Sequence, residues 1–204
     1  LSTDKASSPI NLYGATKLAS DKLFVASNSS YAGGHKTLFS VVRYGNVMGS
    51  RGSVIPFFMS IKDKGVLPIT DSRMTRFMIT LEQGVDLVWH AFRDMKGGEI
   101  YVKKIPSMNI IDIAKAVAPR AKHKFIGIRP GEKLHEQMIS ENEAHLTYEY
   151  KDYYKIMSED KNLLINNKFG KKVSKNFVYA SNLNTSWMKT KELQKWLSIN
   201  FNKI

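Results

Sequence analysis

The sequence predicts an α/β fold, in which helices alternate with short buried strands. Residues 10–27 carry apolar positions at helical spacing, and residues 37–42 form a β-branched and aromatic run typical of a buried strand. A helix pattern from Thr80 likewise precedes a strand pattern at residues 100–102. Helix followed by strand at this spacing indicates a layered α/β architecture, and the chain contains no internal repeat.

The first helix has clear local signals. Pro9 suits a helix entrance, because its ring fixes the backbone angle φ near the helical value. Its apolar positions are spaced to form one buried stripe, made of Leu18, Leu23, Phe24 and Ala26. Residues 1–4 are typical of the exit of a buried strand, and residues 28–36 are predicted to form a polar loop.

The later elements follow in order. Thr80 and Gln83 match a capping box, in which a hydroxyl and a Glu or Gln three residues later satisfy backbone groups where a helix starts. That helix reaches about Arg93 and ends before a Gly-Gly pair. The other predicted elements are a helix through 57–61, an extended piece at 67–70, a strand at 100–102, a helix at 110–117, a strand at 125–128, a turn and short helix from 129, loop with short strands at 148–169, and a helix at 191–199.

The composition is that of a globular protein with its own core. The chain has 204 residues, 43% of them hydrophobic, which suits one domain or slightly more. Without a run of about 18 apolar residues or a signal-peptide layout, the sequence indicates neither membrane insertion nor secretion. The absence of cysteine excludes disulfides and thiolate metal ligands and fits a reducing cytoplasm.

The charge is strongly positive, since 31 Lys and Arg against 18 Asp and Glu give a net charge of +13. Such an excess would suit a nucleic-acid-binding module, because phosphate neutralisation dominates that affinity. The basic residues are nevertheless spread along the chain, without a basic helix or an RNA-binding aromatic motif. We therefore interpret them as a solvated surface that attracts an anionic substrate, and expect no nucleic-acid or membrane partner.

The most informative segment is Tyr13-Gly14-Ala15-Thr16-Lys17, which follows Ser2-Thr3-Asp4-Lys5. On a helix, Tyr13 and Lys17 are four residues apart and share one face. An ammonium group beside a phenol favours the ionised form, and a phenolate held in this way is a general base. A Tyr/Lys pair alone is usually only part of a helix face, so the surrounding residues decide its meaning.

With these neighbours the chain resembles the extended short-chain dehydrogenase/reductase family. More narrowly, residues 2–5 together with residues 9–17 are similar to the inverting UDP-N-acetylglucosamine 4,6-dehydratases that begin pseudaminic acid synthesis. The likeness continues through residues 49–54, 68–71, 73–77 and 129–136. It covers most of the chain and fades only between about residues 148 and 169.

The resemblance also implies a domain layout. The family places a nucleotide-binding half with a glycine-rich turn ahead of the segment where this sequence begins, and no such turn occurs here. We therefore expect a C-terminal fragment that is inactive alone. Residues 1–53 would end a Rossmann-type doubly wound sheet, 54–147 would form a smaller mixed α/β substrate-binding region, and 148–204 would contribute loop, short strands and a helix.

The activity implied is that of a lyase, which converts UDP-N-acetylglucosamine into a UDP-4-keto-6-deoxy-hexose with inversion at C5. The sugar is oxidised at C4, water is lost across C5 and C6, and the hydride returns to C6, so the NADP or NAD cofactor is not consumed. Tyr13 would take the C4 hydroxyl proton, Thr3 would hydrogen-bond the same oxygen, and Lys17 would hold the nicotinamide ribose. Lys5 is assigned as the base at C5, and Asp4 as the acid that helps the C6 hydroxyl leave.

The same resemblance assigns binding residues. Asn46 would meet the sugar phosphate, Thr70 would lie near the uridine, and Arg129 with Glu132 would clamp the nucleotide. Arg76 is a further candidate unless it only orders the loop. The predicted cofactor-binding residues are Tyr13, Lys17, Tyr44, Gly45, Val47, Met48, Gly49, Ser50 and Arg51. The predicted substrate-binding residues are Leu1, Ser2, Asn46, Val54, Thr70, Arg129 and Glu132.

Alternatives stay open at this point. A 4-epimerase or a retaining 4,6-dehydratase would keep the fold, although a plain epimerase needs only the Tyr/Lys pair and leaves Asp4 and Lys5 unexplained. A remnant that only oligomerises or regulates is a third possibility. We expect a homo-oligomer, which the apolar helix at residues 81–92 would suit. No metal is expected, because His90 and His135 lack partners at metal-ligand spacing and are interpreted as helix-face residues.

Overall fold

The computed structural model describes residues 1–28, 36–164 and 169–201, so residues 29–35 of the predicted loop at 28–36 and residues 165–168 of that at 148–169 lie outside the described residues. The helices are α1 (Leu12–Ala26), α2 (Val54–Ile61), α3 (Leu81–Asp94), α4 (Ile110–Val117), α5 (Glu141–Ala144) and α6 (Thr190–Asn200). The strands are β1 (Ser2–Thr3), β2 (Val41–Tyr44), β3 (Asn46–Val47), β4 (Val66–Ile69), β5 (Thr75–Ile79), β6 (Ile100–Lys103), β7 (Ser107–Asn109), β8 (Lys122–Phe125), β9 (Gln137–Ile139), β10 (Thr147–Glu149), β11 (Tyr153–Ile156), β12 (Lys171–Lys172) and β13 (Tyr179–Ala180). The α/β class is confirmed.

The chain forms two compact units, each assembled from three separate segments. The first unit combines Leu1–Gly45, Leu81–Lys104 and Gln137–Ala180, and the second combines Asn46–Thr80, Ile105–Glu136 and the segment from Ser181. The three consecutive regions that the sequence analysis assigned to different roles stay a prediction. The compact units of the structure differ from them, because each unit combines segments that are separated in the sequence.

A six-stranded sheet organises the first unit, in the order β1-β2-β6-β11-β10-β12. The strands β1, β2 and β6 are parallel, whereas β11 and β10 continue the sheet as an antiparallel hairpin. Helix α3 covers the sheet through Leu87 and Ala91, which pack against Val42 and Tyr101. The short strands expected between residues 148 and 169 are thus present as β11 and the end of β10.

The described residues of the second unit form two small sheets and three α-helices. Strand β5 is parallel to β3 and antiparallel to β7, while β4 pairs in parallel with β8. Helices α2, α4 and α6 enclose a core with buried Phe58, Ile113 and Leu193. Helix α4 begins where predicted, because the Asn109 side chain accepts a hydrogen bond from the backbone N–H of Ile111 at 2.8 Å.

Three expectations about local structure are wrong. The strand expected at 125–128 is β8, at Lys122–Phe125, because its pairing with β4 rather than an apolar run defines it. Residues 129–136 form a turn and an irregular segment that lead to β9, instead of the short helix expected there. The expected buried stripe of α1 is largely exposed, with Leu23 at 68% and Phe24 at 49%. The buried residues of α1 are instead Gly14 and Asp21.

The core of the second unit yields a stability prediction. Leu193 is fully buried on α6, so Leu193→Ala removes contacts and leaves a cavity, and we expect a loss of about 2–5 kcal/mol in the free energy of unfolding. Leu183 in the same unit is 65% exposed, and Leu183→Ala should change stability by less than about 0.5 kcal/mol. Denaturant unfolding of both variants measures the difference, and equal losses would contradict this assignment of the core.

Candidate active site

The predicted trio Thr3, Asp4 and Lys5 lies where β1 ends. Thr3 is the last residue of β1 and caps a 3₁₀ turn at Asp4–Ala6, because its hydroxyl accepts a hydrogen bond from the Lys5 backbone N–H at 3.3 Å. The chain therefore turns sharply at the carboxyl end of a parallel strand. Polar side chains at such strand ends are well placed to meet a ligand.

Asp4 connects the other two members of the trio. Its Oδ1 atom accepts a hydrogen bond from the Thr3 hydroxyl at 2.9 Å and forms an ion pair with Lys5 Nζ at 2.7 Å. The Asp4 side chain is fully buried, whereas that of Lys5 is 32% exposed. Within the described residues, Asp4 Oδ2 is buried without a hydrogen-bond partner. A buried carboxylate oxygen left unpaired costs free energy, which makes Asp4 a candidate functional residue.

The second predicted pair lies on α1. The side chain of Asn11 caps this helix, since its Oδ1 atom accepts a hydrogen bond from the Gly14 backbone N–H at 2.8 Å. Lys17 Nζ lies 5.6 Å from the centre of the Tyr13 ring, as expected for residues on one helix face. Tyr13 is 57% exposed, so its hydroxyl is accessible to a ligand.

Gly14 brings α1 against the trio. A Cβ atom at this position would lie 2.6 Å from the Lys5 carbonyl oxygen and 2.9 Å from Pro9 Cβ, which is closer than atoms can approach. Only glycine therefore allows this contact. In the segment between Lys5 and Gly14, Ser8 adopts a left-handed backbone with φ of 47°, a strained conformation for a residue other than glycine. The trio and the Tyr/Lys helix are thus held together within the first unit.

The remaining predicted residues are distributed over both units. In the first unit Leu1 is exposed, Ser2 lies in β1, Tyr44 ends β2 and Gly45 follows it. In the second unit Asn46 and Val47 form β3, and Met48, Gly49, Ser50 and Arg51 form the following turn. Val54 begins α2, Thr70 follows β4, and Arg129 with Glu132 lies in the turn before β9. Their binding roles stay predictions.

Gly49 has a structural explanation of its own. Its φ is 75°, and a Cβ atom would lie 2.9 Å from the Trp196 ring and 3.4 Å from that of Phe201. The turn after β3 therefore needs glycine in order to pack against the end of α6. This packing accounts for the glycine at position 49, and its predicted contact with a cofactor stays a prediction.

The predicted clamp Arg129 and Glu132 is joined by Arg76. Arg129 Nε lies 3.8 Å from Glu132 Oε2, and Arg76 Nη2 lies 3.5 Å from Glu132 Oε1. The buried Arg76 guanidinium also donates to the carbonyl oxygens of Leu134 at 3.1 Å and Lys133 at 3.0 Å. Arg76 therefore orders the loop that carries the clamp, which the sequence had left as one of two alternatives.

His135 is not a helix-face residue, contrary to the prediction. Its Nδ1 atom lies 2.8 Å from the Thr75 hydroxyl, which is 2.7 Å from the hydroxyl of the buried Ser181. Burial, followed by the positive charges of Arg76 and Arg73, lowers the pKa of His135 below its ordinary value. No sequence pattern indicates this cluster, because Thr75 is 60 residues from His135 and 106 residues from Ser181.

His90 does lie on a helix, as predicted. It belongs to α3, and its ring centre is 4.4 Å from that of Tyr153. Burial lowers its pKa, and the nearby Asp94 opposes that shift. Among the described residues, no group of three or more His, Asp or Glu side chains is arranged to hold a metal ion. No helix in the described ranges is long and apolar enough to cross a membrane.

A sequence model described as polysaccharide biosynthesis protein matches residues 1–158 of the chain. The chain belongs to this family. Its relatives include the inverting UDP-N-acetylglucosamine 4,6-dehydratase of Campylobacter jejuni subsp. jejuni serotype O:2, which is 56% identical over 95% of this chain and 60% of its own length. The UDP-glucose 4-epimerase of Rickettsia conorii is 43% identical over 80% of this chain and 49% of its own.

Solved structures agree with the family's fold. The X-ray structure of Pen from Bacillus thuringiensis superimposes with a TM-score of 0.83 and 33% identity, over 97% of this chain and 60% of that one. The dTDP-glucose 4,6-dehydratase DesIV from Streptomyces venezuelae, solved with NAD and TYD bound, gives a TM-score of 0.57 at 20% identity, over 65% of this chain and 48% of its own. The chain thus spans 60% of the length of the Campylobacter jejuni relative and 60% of the Bacillus thuringiensis chain.

The contact at Gly14 can be tested directly. Gly14→Ala must push α1 away from the Lys5 carbonyl, and we expect a loss of about 1–3 kcal/mol in unfolding free energy, as for other overpacked sites. Gly84→Ala is the matched control, because a Cβ atom on this α3 glycine meets nothing within 4 Å. That control should be neutral or stabilising by up to about 1 kcal/mol. Equal destabilisation of the two variants would contradict the close approach.

His135 predicts a pH dependence of stability. Its pKa is lower in the folded protein than the ordinary 6.5, so the unfolded chain binds more protons as the pH falls below that value. The free energy of unfolding should therefore decrease on acidification through this range, and His135→Gln should make the decrease shallower. The exposed His145 supplies the control, His145→Gln. The measurement is the free energy of unfolding of each variant between about pH 7.5 and 5.5. If its slope against pH in His135→Gln equals that of the wild type, the role of His135 is refuted.

Proposed function

We propose that the protein is a configuration-inverting UDP-N-acetylglucosamine 4,6-dehydratase, a hydro-lyase that forms a UDP-4-keto-6-deoxy-hexose. The observation that carries the proposal is the contact between Lys5 Nζ and Asp4 Oδ1 at the end of β1, packed against the Tyr13/Lys17 helix. Asp4 and Lys5 suit an elimination, and Tyr13 and Lys17 suit a redox step. The relative from Campylobacter jejuni supports the combination.

Tyr13 and Lys17 serve the redox step. Tyr13, whose side chain is accessible and shares a helix face with the ammonium of Lys17, acts as the base for the proton of the sugar C4 hydroxyl. Thr3 donates or accepts a hydrogen bond at the same sugar oxygen. Lys17 would hold the ribose of a bound nicotinamide, which would supply the hydride chemistry of the reaction. Oxidation at C4 makes the C5 proton acidic.

Lys5 and Asp4 serve the elimination. A proton that moves from Lys5 Nζ to Asp4 Oδ1 across their 2.7 Å contact leaves an amine that can act as a base and a carboxylic acid that can act as an acid. The amine takes the C5 proton, and the carboxylic acid protonates the departing C6 hydroxyl, which leaves as water. Lys5 and Asp4 then form an ion pair again, because the proton taken from C5 replaces the one that leaves with the water. The proton gained by Tyr13 balances the new proton that C5 receives when hydride reaches C6.

The chemistry ends with inversion at C5. When hydride reaches C6, C5 needs a new proton, and delivery to the opposite face of the ring inverts its configuration. We assign this second proton transfer to Lys5 as well. Arg129 and Glu132 bind the nucleotide in the proposal, with the guanidinium on diphosphate oxygens and the carboxylate on ribose hydroxyls. Their 3.8 Å approach in the loop ordered by Arg76 supports a shared subsite.

The proposal has further parts. We propose NADP as the cofactor, with NAD as the alternative, and initiation of pseudaminic acid synthesis in the cytoplasm. We also propose a homo-oligomer. The support is an apolar stripe on α3, whose exposed members are Leu81, Val85, Trp89 and Phe92.

A UDP-sugar 4-epimerase is the second candidate, and the similarity to the Rickettsia conorii enzyme favours it. Epimerisation at C4 needs the Tyr13/Lys17 pair and leaves the C5 proton in place. It gives no role to a buried Asp4 in contact with Lys5. The 4,6-dehydratase accounts for both groups of residues and is therefore preferred, with a retaining dehydratase of the same family as its nearest variant.

The decisive experiment incubates the full-length protein with UDP-N-acetylglucosamine and NADP in deuterated water. NMR should show a 4-keto-6-deoxy sugar with deuterium at C5 and inverted configuration there. Lys5→Ala should reduce dehydration by roughly 100-fold or more while cofactor binding is retained, because the base at C5 is missing. Lys22→Ala, an exposed lysine on α1, should behave like the wild type.

The other outcomes separate the alternatives. A C4 epimer that retains protium at C5 would establish the epimerase and overturn the dehydratase. Deuterium at C5 with retained configuration would indicate the retaining dehydratase. Full turnover by Lys5→Ala would remove Lys5 from the chemistry, and replacement of NADP by NAD in parallel reactions measures the cofactor preference.

A further inference from the structure

We propose that Arg43 is a positioning residue for both halves of the site, a role that rests on the proposed function. Arg43 lies on β2 and its side chain is fully buried. No binding or catalytic role follows for it from the sequence motifs. Its guanidinium connects α1, which carries Tyr13, to the elements that border the Asp4 turn.

The contacts of the guanidinium reach three elements. Nη2 donates to Asp21 Oδ2 on α1 at 3.0 Å. Nη1 donates to the Met138 carbonyl oxygen on β9 at 2.7 Å and to Glu143 Oε1 on α5 at 3.0 Å. Glu143 is itself held, because its Oε2 atom accepts hydrogen bonds from the backbone and hydroxyl of Ser140 at 2.8 and 2.9 Å. The cluster is therefore a fixed junction rather than an isolated ion pair.

On one side this junction sets the rotation of α1. Asp21 lies four residues after Lys17 on α1. Gly14 and Asp21 are the buried residues of this helix. Apolar packing contributes little within the described residues, since Leu12 is 81% and Leu23 is 68% exposed. The first part of the helix is therefore located by the close approach of Gly14 to the Lys5 carbonyl and by the ion pair of Asp21 with Arg43, while Phe24 contacts Phe39 near the end of the helix.

On the other side the junction borders the elimination residues. In the parallel pairing of β1 with β2, Arg43 is the partner of Ser2, and Tyr44 is the partner of Thr3. Strand β9, which Arg43 holds through Met138, contacts the 3₁₀ turn at Asp4–Ala6. One side chain thus touches the supports of both the Tyr13/Lys17 pair and the Asp4/Lys5 pair.

The choice of residues supports a geometric role. Arginine presents its donors in a rigid planar fork, so its contacts fix angles as well as distances, which a lysine ammonium cannot do. Apolar residues of similar volume often replace buried ion clusters without loss of stability. Stability alone therefore does not explain two carboxylates around one buried guanidinium, whereas accurate placement of two catalytic segments does.

The test compares Asp21→Ala and Asp21→Asn in the full-length protein, with Asp86→Ala on the exposed face of α3 as the control. The substrate is UDP-N-acetylglucosamine with protium or deuterium at C4. Asp21→Ala should lower kcat by roughly ten- to a hundredfold with KM changed by less than about threefold, because α1 is misplaced rather than the substrate site lost. The isotope effect on kcat should rise, since hydride transfer from C4 becomes slower. Asp21→Asn keeps an oxygen acceptor for Arg43 and should recover part of the rate.

Each result decides the proposal. A normal isotope effect in Asp21→Ala, or the same loss of rate in Asp86→Ala, would reduce Arg43 to a structural role and overturn it. If Asp21→Ala does not fold, Asp21→Asn decides, and an unchanged isotope effect in that variant overturns the proposal. A wild-type protein without dehydratase activity would instead refute the proposed function, so the two failures are distinguishable.

Discussion

The close approach of α1 to the Lys5 backbone is the constraint on which the rest of the candidate site depends. Gly14 permits it, because any side chain at that position would collide with the Lys5 carbonyl oxygen. Through this contact, a helix that carries a phenol and an ammonium meets a turn that carries a carboxylate and a second ammonium. The proposed function requires both groups to act on one sugar ring, and it therefore depends on this close approach, since catalysis requires reacting groups within hydrogen-bond reach of one substrate.

Buried polar groups are part of this arrangement. Asp4 is buried among the hydrogen bonds of its own turn, Asp21 is buried against Arg43, and within the described residues Asp4 Oδ2 has no hydrogen-bond partner. Such groups are costly to bury, and a structure selected only for stability would replace them. Active sites commonly retain arrangements of this kind, because function depends on the position of charge.

The sequence predicted the parts that depend on local pattern. The α/β class, the bounds of α4 and the shared face of Tyr13 and Lys17 follow from spacing, and the structure agrees with them. Prediction from the sequence failed where contacts between residues far apart in the chain determine the local structure. The pattern predicted a buried apolar stripe on α1, yet Asp21 is buried because Arg43 is its partner 22 residues away. Likewise β8 is defined by pairing with β4, and the Thr75, His135 and Ser181 cluster has no sequence signal.

The position of Asp4 also connects stability with the proposed chemistry. Its Oδ1 atom accepts a hydrogen bond from the Thr3 hydroxyl at 2.9 Å and lies 2.7 Å from Lys5 Nζ, so one buried oxygen links all three members of the trio. Burial of a charged group is costly for folding and is tolerated where such contacts compensate it. The contacts that compensate the burial of Asp4 are therefore the ones through which the proposed elimination would move a proton between Lys5 and Asp4.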